Sequence, residues 1–122
     1  MNLNNIRLLV VDDEKDVCEY IATHLKRRGC DAFVANTPEE ALTLIKAKNP
    51  HIMLLDINLP GMSGIELLKL VRQFNTVIKV IIISGYPMDI NDSQFKGLDI
   101  LEFIHKPFPF AVLDSVLEKI LT

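Results

Sequence analysis

His51-Ile52-Met53-Leu54-Leu55-Asp56-Ile57-Asn58-Leu59-Pro60-Gly61-Met62-Ser63-Gly64 is the stretch on which the reading of this chain turns. Four apolar residues, Ile52 to Leu55, deliver a single carboxylate, Asp56, and the chain then breaks at Pro60-Gly61. A short apolar run closed by a turn signal predicts a strand buried on both faces. Asp56 is then the first polar group as that strand leaves the core. In an open α/β sheet the carboxyl ends of the strands are where ligands and chemistry gather. What else converges on Asp56 decides the function.

Toward the N-terminus, Arg7 to Val11 is a second apolar run, ending in Asp12-Asp13-Glu14. Val17, Ile21 and Leu25 recur every fourth residue and predict an amphipathic helix, stopped by Gly29 at its C-terminal cap. Ala32 to Ala35 predicts a short strand. Thr37 suits a helix cap, Pro38 the first helical position and Glu40 the far end of a capping box. Ala41, Leu42, Leu44 and Ile45 supply the apolar face of that second helix, and Asn49-Pro50 ends it.

Toward the C-terminus, Gly64 to about Phe74 carries Ile65, Leu68 and Val71 at helical spacing. Val80 to Ile83 predicts a buried strand ending at Ser84. From Gly85 to Gly97, Pro87, Asn91 and Asp92 break the periodicity, so a helix there is short or irregular. Ile100 to His105 predicts a fifth strand, ending at Lys106-Pro107. Pro109 to Leu121 predicts a last helix, with Leu113, Val116, Leu117 and Ile120 facing inward.

This alternation predicts one doubly wound α/β domain, a five-stranded parallel sheet with helices on both faces and right-handed crossovers. For five strands the flavodoxin-like order 2-1-3-4-5 is favoured, with its switch point between the first and third strands. That order sets Asp12 and Asp13 beside Asp56. The size, 122 residues, suits a single domain, and 49% hydrophobic with 24% charged residues is a globular composition. A net charge of -3 gives no reason to expect nucleic acid. No basic start with an apolar segment predicts a leader, and no apolar run reaches membrane-spanning length. Cys18 and Cys30 are too few for a disulfide framework and predict small buried thiols in a reducing cytosol.

Four strands thus end in polar groups at one edge of the sheet: Asp12-Asp13, Asp56, Ser84 and Lys106. Three carboxylates packed together repel one another and ask for a cation. Oxygen ligands suit Mg2+, which is usually held by one or two carboxylates plus a phosphate. Asp56 is then placed to attack phosphorus as a carboxylate nucleophile, with Lys106 and the Ser84 hydroxyl holding phosphoryl oxygens. Each residue also has a plainer reading. Asp12-Asp13 is a helix cap, Ser84 a loop residue and Lys106 a solvated strand end. Their coincidence at one edge favours the chemical reading. His24, His51 and His105 are not placed beside this edge's chemistry and take packing or solvated roles.

The set Asp12-Asp13, Asp56, Ser84 and Lys106-Pro107, in this order over essentially the whole chain, resembles the signature of the receiver domain of two-component response regulators. The resemblance implies a cytoplasmic signalling switch in which Asp56 accepts a phosphoryl group from a sensor histidine kinase or a histidine phosphotransfer protein. It implies Mg2+ bound by Asp13, Asp56 and the backbone carbonyl of Asn58, with Asp12 assisting through water. Lys106 would pair with the phosphoryl group. Ser84 would swing toward it, and Phe103, three residues before the lysine, would be the aromatic switch. Phe103 lacks the hydroxyl of the tyrosine frequent there, so packing would drive its inward state. Gly85 replaces a common alanine, and Gly97-Leu98-Asp99 stands where a Gly-Ala pair is usual, slightly further from the lysine. Asn58 and Tyr86 occupy the positions that control access of water to the phosphoryl group. Such a protein is not a conventional enzyme but catalyses its own phosphorylation and dephosphorylation.

Two other readings stay in view. A phosphatase of the haloacid dehalogenase type also uses an Asp nucleophile, but it wants a second Asp where this chain has Asn58. A degenerate receiver acting only as a protein-binding module is opposed by the full set of site residues. A nucleotide or flavin binder would need a Gly-rich phosphate loop where Asp12-Asp13-Glu14 stands. The resemblance implies a receiver over residues 1–122 with no output domain visible, which leaves a stand-alone regulator and an excised domain both open. Also open is a phosphorylation-dependent dimer, for which Phe103, Phe108 and Phe110 are candidate apolar area or core.

Overall fold

A computed structural model describes residues 1–89 and 91–122. Five strands, β1 (Arg7–Val11), β2 (Asp31–Ala35), β3 (Ile52–Asp56), β4 (Lys79–Ser84) and β5 (Ile100–His105), form one parallel sheet in the order β2-β1-β3-β4-β5. Four helices accompany them: α1 (Lys15–Arg27), α2 (Pro38–Lys48), α3 (Gly64–Phe74) and α4 (Phe110–Leu121). The doubly wound α/β architecture and strand order expected from the alternation are those observed.

The continuous apolar runs of β1, β3 and β4 are buried because helices cover both faces. Leu9, Val11, Met53, Leu55, Val80 and Ile82 point to one side, where Ala41 and Ile45 of α2 and Leu67, Leu68 and Val71 of α3 pack on them. Leu8, Val10, Leu54, Ile81 and Ile83 point to the other, against Cys18, Ile21, Ala22 and Leu25 of α1 and Leu113 and Leu117 of α4. The stripe on α1 is completed by Cys18 and Ala22, small residues that let the helix sit close to the sheet.

The punctuation follows the residue types, with one shift. Gly29, just past α1, takes φ +92, and Asn49, capping α2, takes φ 50. Thr37 Oγ1 accepts from Glu40 N at 3.1 Å, as a capping box requires. The reciprocal bond, however, runs from Asn36 N to Glu40 Oε2 at 3.2 Å, one residue earlier than the motif predicts. Between β4 and β5 no α-helix forms among the described residues. A 3-10 turn, Ser93–Phe95, stands there, in keeping with the broken periodicity of 85–97, a stretch of which residue 90 lies outside the description.

Gly64 matters for the site. A Cβ at this first position of α3 would stand 2.6 Å from the Asp56 carbonyl oxygen and 2.7 Å from Ile57 Cα. Both are backbone atoms, so the absence of a side chain is what lets α3 start against the end of β3. Gly85, by contrast, has nothing within 4 Å of a built Cβ. Gly64→Ala is therefore expected to lose about 2 kcal/mol of stability in urea denaturation. Gly85→Ala should be neutral or gain up to about 1 kcal/mol. Equal behaviour of the two variants would refute the close approach.

Candidate functional site

Because β1 and β3 are neighbours, their carboxyl ends bring the acidic groups together. One carboxylate oxygen each from Asp12, Asp13 and Asp56 lie within 4.8 Å of one another. Asp12 is fully buried and Asp56 nearly so, while Asp13 is exposed at the rim. Lys106, following β5, reaches both buried carboxylates, with Nζ 2.5 Å from Asp12 Oδ2 and 3.1 Å from Asp56 Oδ2. The second oxygen of each is held by the backbone. Asp12 Oδ1 accepts from Glu14 N at 3.0 Å, and Asp56 Oδ1 accepts from Asn58 N at 3.0 Å.

Charge decides how this cluster behaves. Burial pushes the Asp56 carboxyl above its ordinary range; the Asn58 N–H and Lys106 pull it down, Asp12 pushes it further up, and the net shift is upward. For Lys106, burial works against the ammonium, but the hydrogen bond to Asp12 and the charges of Asp56 and Asp12 outweigh it and raise the pKa. One ammonium thus faces three carboxylates, a donor set of hard oxygens short of positive charge. That set fits a small divalent cation such as Mg2+.

Ser84 is buried at the end of β4, beside Asp56 on β3, and its backbone carbonyl accepts from Lys106 N at 2.7 Å. Its hydroxyl is turned to its own loop, where Oγ accepts from Tyr86 N at 3.1 Å. Tyr86 itself is exposed, as is Asn58. Phe103 is half-buried and meets Phe95 of the 3-10 turn edge-to-face, with ring centroids 5.1 Å apart. Ser84, Tyr86, Pro87, Met88 and Phe103 line a cleft of about 260 Å³. The structure thus brings Asp12, Asp13, Asp56 and Lys106 into one cluster and leaves the Ser84 hydroxyl and Phe103 beside it rather than in it. The Lys106-Pro107 peptide is cis.

Two residues outside the expected set touch the cluster. Asn36 Nδ2 and Cys18 Sγ both donate to the Asp12 carbonyl oxygen, at 3.0 and 3.3 Å. Burial, then the charge of Asp12, pushes the Cys18 thiol up to about 12, so it stays a protonated donor. An amide-bearing residue directly after β2, at the same sheet edge as Asp12, was the available signal for Asn36; Cys18 carried none. Two of the histidines lie elsewhere, whereas His105 opposes Ser84 in the β4–β5 pairing and lines the cleft beside it. His51 Nδ1 accepts from Arg7 N at 3.0 Å at the opposite edge of the sheet. His24 pairs with Asp114 at 2.7 Å between α1 and α4. Among the described residues no helix is long and apolar enough to cross a membrane.

Comparison with known proteins agrees with this geometry. The family model described as the response regulator receiver domain matches residues 8–118. Sporulation initiation phosphotransferase F of Bacillus subtilis is 30% identical over 117 residues, covering 96% of this chain and 94% of that protein. The phosphate regulon transcriptional regulatory protein PhoB of Pseudomonas aeruginosa is 32% identical, over 93% of this chain and 51% of that protein. Of four of the curated relatives it matches, the chain spans about half the length or less. Among solved structures, the response regulator TrrA of Thermotoga maritima, in complex with Mg2+-BeF, superposes with a TM-score of 0.82. It is 31% identical, with 93% of this chain and 97% of that one covered. The sheet order, the acidic cluster with its bridging lysine and the family match over residues 8–118 lead to one conclusion: this chain belongs to the receiver domain family of two-component response regulators.

Proposed function

We propose that this chain is a phosphorylation-dependent switch that takes a phosphoryl group from a phosphohistidine of a sensor histidine kinase or phosphotransfer protein onto Asp56. The observation that carries this reading is the pairing of Lys106 with both Asp12 and Asp56 inside a three-carboxylate cluster. Asp12, Asp13, Asp56 and the carbonyl of Asn58 are the residues to hold Mg2+. The ion supplies positive charge that lets the carboxylates and an incoming phosphoryl group share one crevice. An Asp56 carboxylate oxygen attacks phosphorus, the N–P bond to the donor imidazole breaks, and the imidazole leaves with its electron pair. Lys106 holds the transferred group through one of its oxygens. The Ser84 hydroxyl gives up its bond to Tyr86 N and donates to another. Phe103 follows into the cleft beside Ser84, and the surface of β5 and α4 changes. The downstream partner, whether a separate protein or an output domain on the same polypeptide, reads that surface in the cytoplasm. No direct contact with nucleic acid or membrane is needed.

The direct test is intact-mass analysis after incubation with phosphoramidate, with and without Mg2+, on this protein and on Asp56→Asn. One added phosphoryl group, dependent on Mg2+ and missing from the variant, is expected. No gain under any condition would leave a binding module only, and donor turnover without accumulation would indicate a phosphatase.

The burial of Asp56 makes a second prediction. The native Asp56 carboxyl binds its proton more tightly than the unfolded one, so between the ordinary carboxylate range and its raised native pKa the folded state holds more protons. Stability attributable to this group therefore falls as pH rises through that window and is lowest above it. Asp56→Asn should accordingly raise metal-free stability at pH 7, with the gain shrinking on acidification. Urea denaturation at pH 7 and pH 4.5 reads it, and a variant less stable at pH 7 would contradict the burial argument. Tyr86, exposed beside Ser84, shields the phosphoryl group from water in this reading. Tyr86→Ala should shorten the phosphoprotein half-life several-fold, and an equal half-life would remove that role.

A further inference from the structure

Every polar atom of Asp12 is engaged. Its N–H donates to Ala35 O at 3.1 Å, its carboxylate oxygens take Glu14 N and Lys106 Nζ, and its carbonyl takes Asn36 Nδ2 and Cys18 Sγ. The first three of these partners belong to the sheet, to the turn after β1 and to the lysine of the cluster. The last two come from the β2–α2 connection and from α1, and no step of the proposed phosphorylation uses them.

Their target is the carbonyl of the peptide that joins Asp12 to Asp13. A peptide unit is planar, so holding its oxygen from two directions sets the orientation of the whole unit. The direction in which the Asp13 side chain leaves the backbone is set with it. Asp13 needs such help. It is exposed, and among the described residues no side-chain hydrogen bond orients its carboxylate, yet one of its oxygens converges with those of Asp12 and Asp56. We propose that Asn36 is a positioning residue for the cation site. Its carboxamide, with the Cys18 thiol beside it, holds the Asp12–Asp13 peptide so that Asp13 faces the two buried carboxylates. This rests on reading Asp12, Asp13 and Asp56 as Mg2+ ligands.

The plainer role for Asn36 is to shape the connection between β2 and α2, and the structure separates the two roles by atom. The backbone N–H of Asn36 serves the connection by donating to Glu40 Oε2. The carboxamide serves Asp12. Removing Glu40 disturbs the first and leaves the second, whereas removing the carboxamide does the reverse. Cys18 is a poorer probe, because any smaller residue there leaves a cavity in the α1 packing.

Groups that orient metal ligands from the next layer out typically change metal affinity 10–100-fold when removed. The experiment is calorimetric titration of the unphosphorylated, full chain with MgCl2, with thermal unfolding in EDTA beside it. Asn36→Ala and the similarly sized, donor-free Asn36→Leu are expected to raise the Mg2+ Kd about tenfold or more. Glu40→Ala is expected to lower the melting temperature with an unchanged Kd. Unchanged Mg2+ affinity in folded Asn36→Ala or Asn36→Leu would overturn the inference. So would an equal loss of affinity in Glu40→Ala, which would assign the effect to the connection as a whole. Absence of Mg2+ binding by the unsubstituted protein would overturn the metal reading and this inference together.

Discussion

Lys106 reaches from the end of β5, across the end of β4, to carboxylates that leave β3 and β1, with Nζ 3.1 Å from Asp56 and 2.5 Å from Asp12. The rest of the functional edge depends on that bridge. Asp12 is fully buried, and a buried carboxylate without a partner costs several kcal/mol. A lysine suits the position because a long, flexible stem can carry a compact charge over an intervening strand. Yet one cation does not balance three anions. Burial, with the charge of Asp12 adding to it, makes Asp56 hold its proton more tightly than an ordinary carboxyl, and the remaining deficit is why a divalent cation or a rearrangement of Lys106 changes the energy of the whole edge. A site built with a deficit of positive charge responds to added cations and anions; a fully neutralised one would not.

Much of this was legible in the sequence because the central strands are covered on both faces. Ile52 to Leu55 and Val80 to Ile83 read as unbroken apolar runs, and the first polar residue after each marks the sheet edge. The alternation leaves both common doubly wound orders possible; five strands favour 2-1-3-4-5, the order observed, and that order places Asp12 and Asp13 next to Asp56. The bonds that end on backbone carbonyls were not legible. A carbonyl has no residue identity, so nothing in the letters marks the Asp12 oxygen as the target of Asn36 and Cys18. Cys18 in particular looks like any small apolar residue of an amphipathic helix. The displaced capping bond shows the same limit. Glu40 was read correctly as a cap residue, but the donor it chose, Asn36 N rather than the N–H of the cap residue Thr37, depends on backbone direction.

The three phenylalanines that the sequence left between core and interface each find partners within the chain. Phe110 lies between Tyr20 and His24, with centroid distances of 4.6 and 3.8 Å, and so joins α4 to α1. The same His24 pairs with Asp114 of α4, which also meets Arg28 at 3.4 Å. Phe108 packs against the α1 and α4 layer, and Phe103 against Phe95 on the other face. The face between α1 and α4 is therefore held by stacked rings and a half-buried His24–Asp114 hydrogen bond as well as by aliphatic packing.

The connection between β4 and β5 has the harder task, since it must set the register that delivers Lys106 with no α-helix among its described residues to brace it. Arg72 of α3 supplies the brace. Its guanidinium donates to the carbonyls of Leu98 and Ile78 at 2.8 Å, Asp99 at 3.1 Å and Asn75 at 3.4 Å. These acceptors tie the end of α3, the approach to β4 and the approach to β5 to one rigid plane, which a lysine at this position would not do. Gly97 and Asp99 turn the chain with φ of +78 and +58, and Leu98 between them is driven into the core. The pairing then slips by one: Val80 opposes Ile100, but Ile81 opposes Glu102, so Leu101 is the residue left over in a bulge. Past the bulge the ladder is regular, Ser84 opposes His105, and Lys106 N donates to the Ser84 carbonyl. The irregularity in the β4–β5 pairing is thus confined to the start of β5, at Leu101, and ends before the strand reaches Lys106.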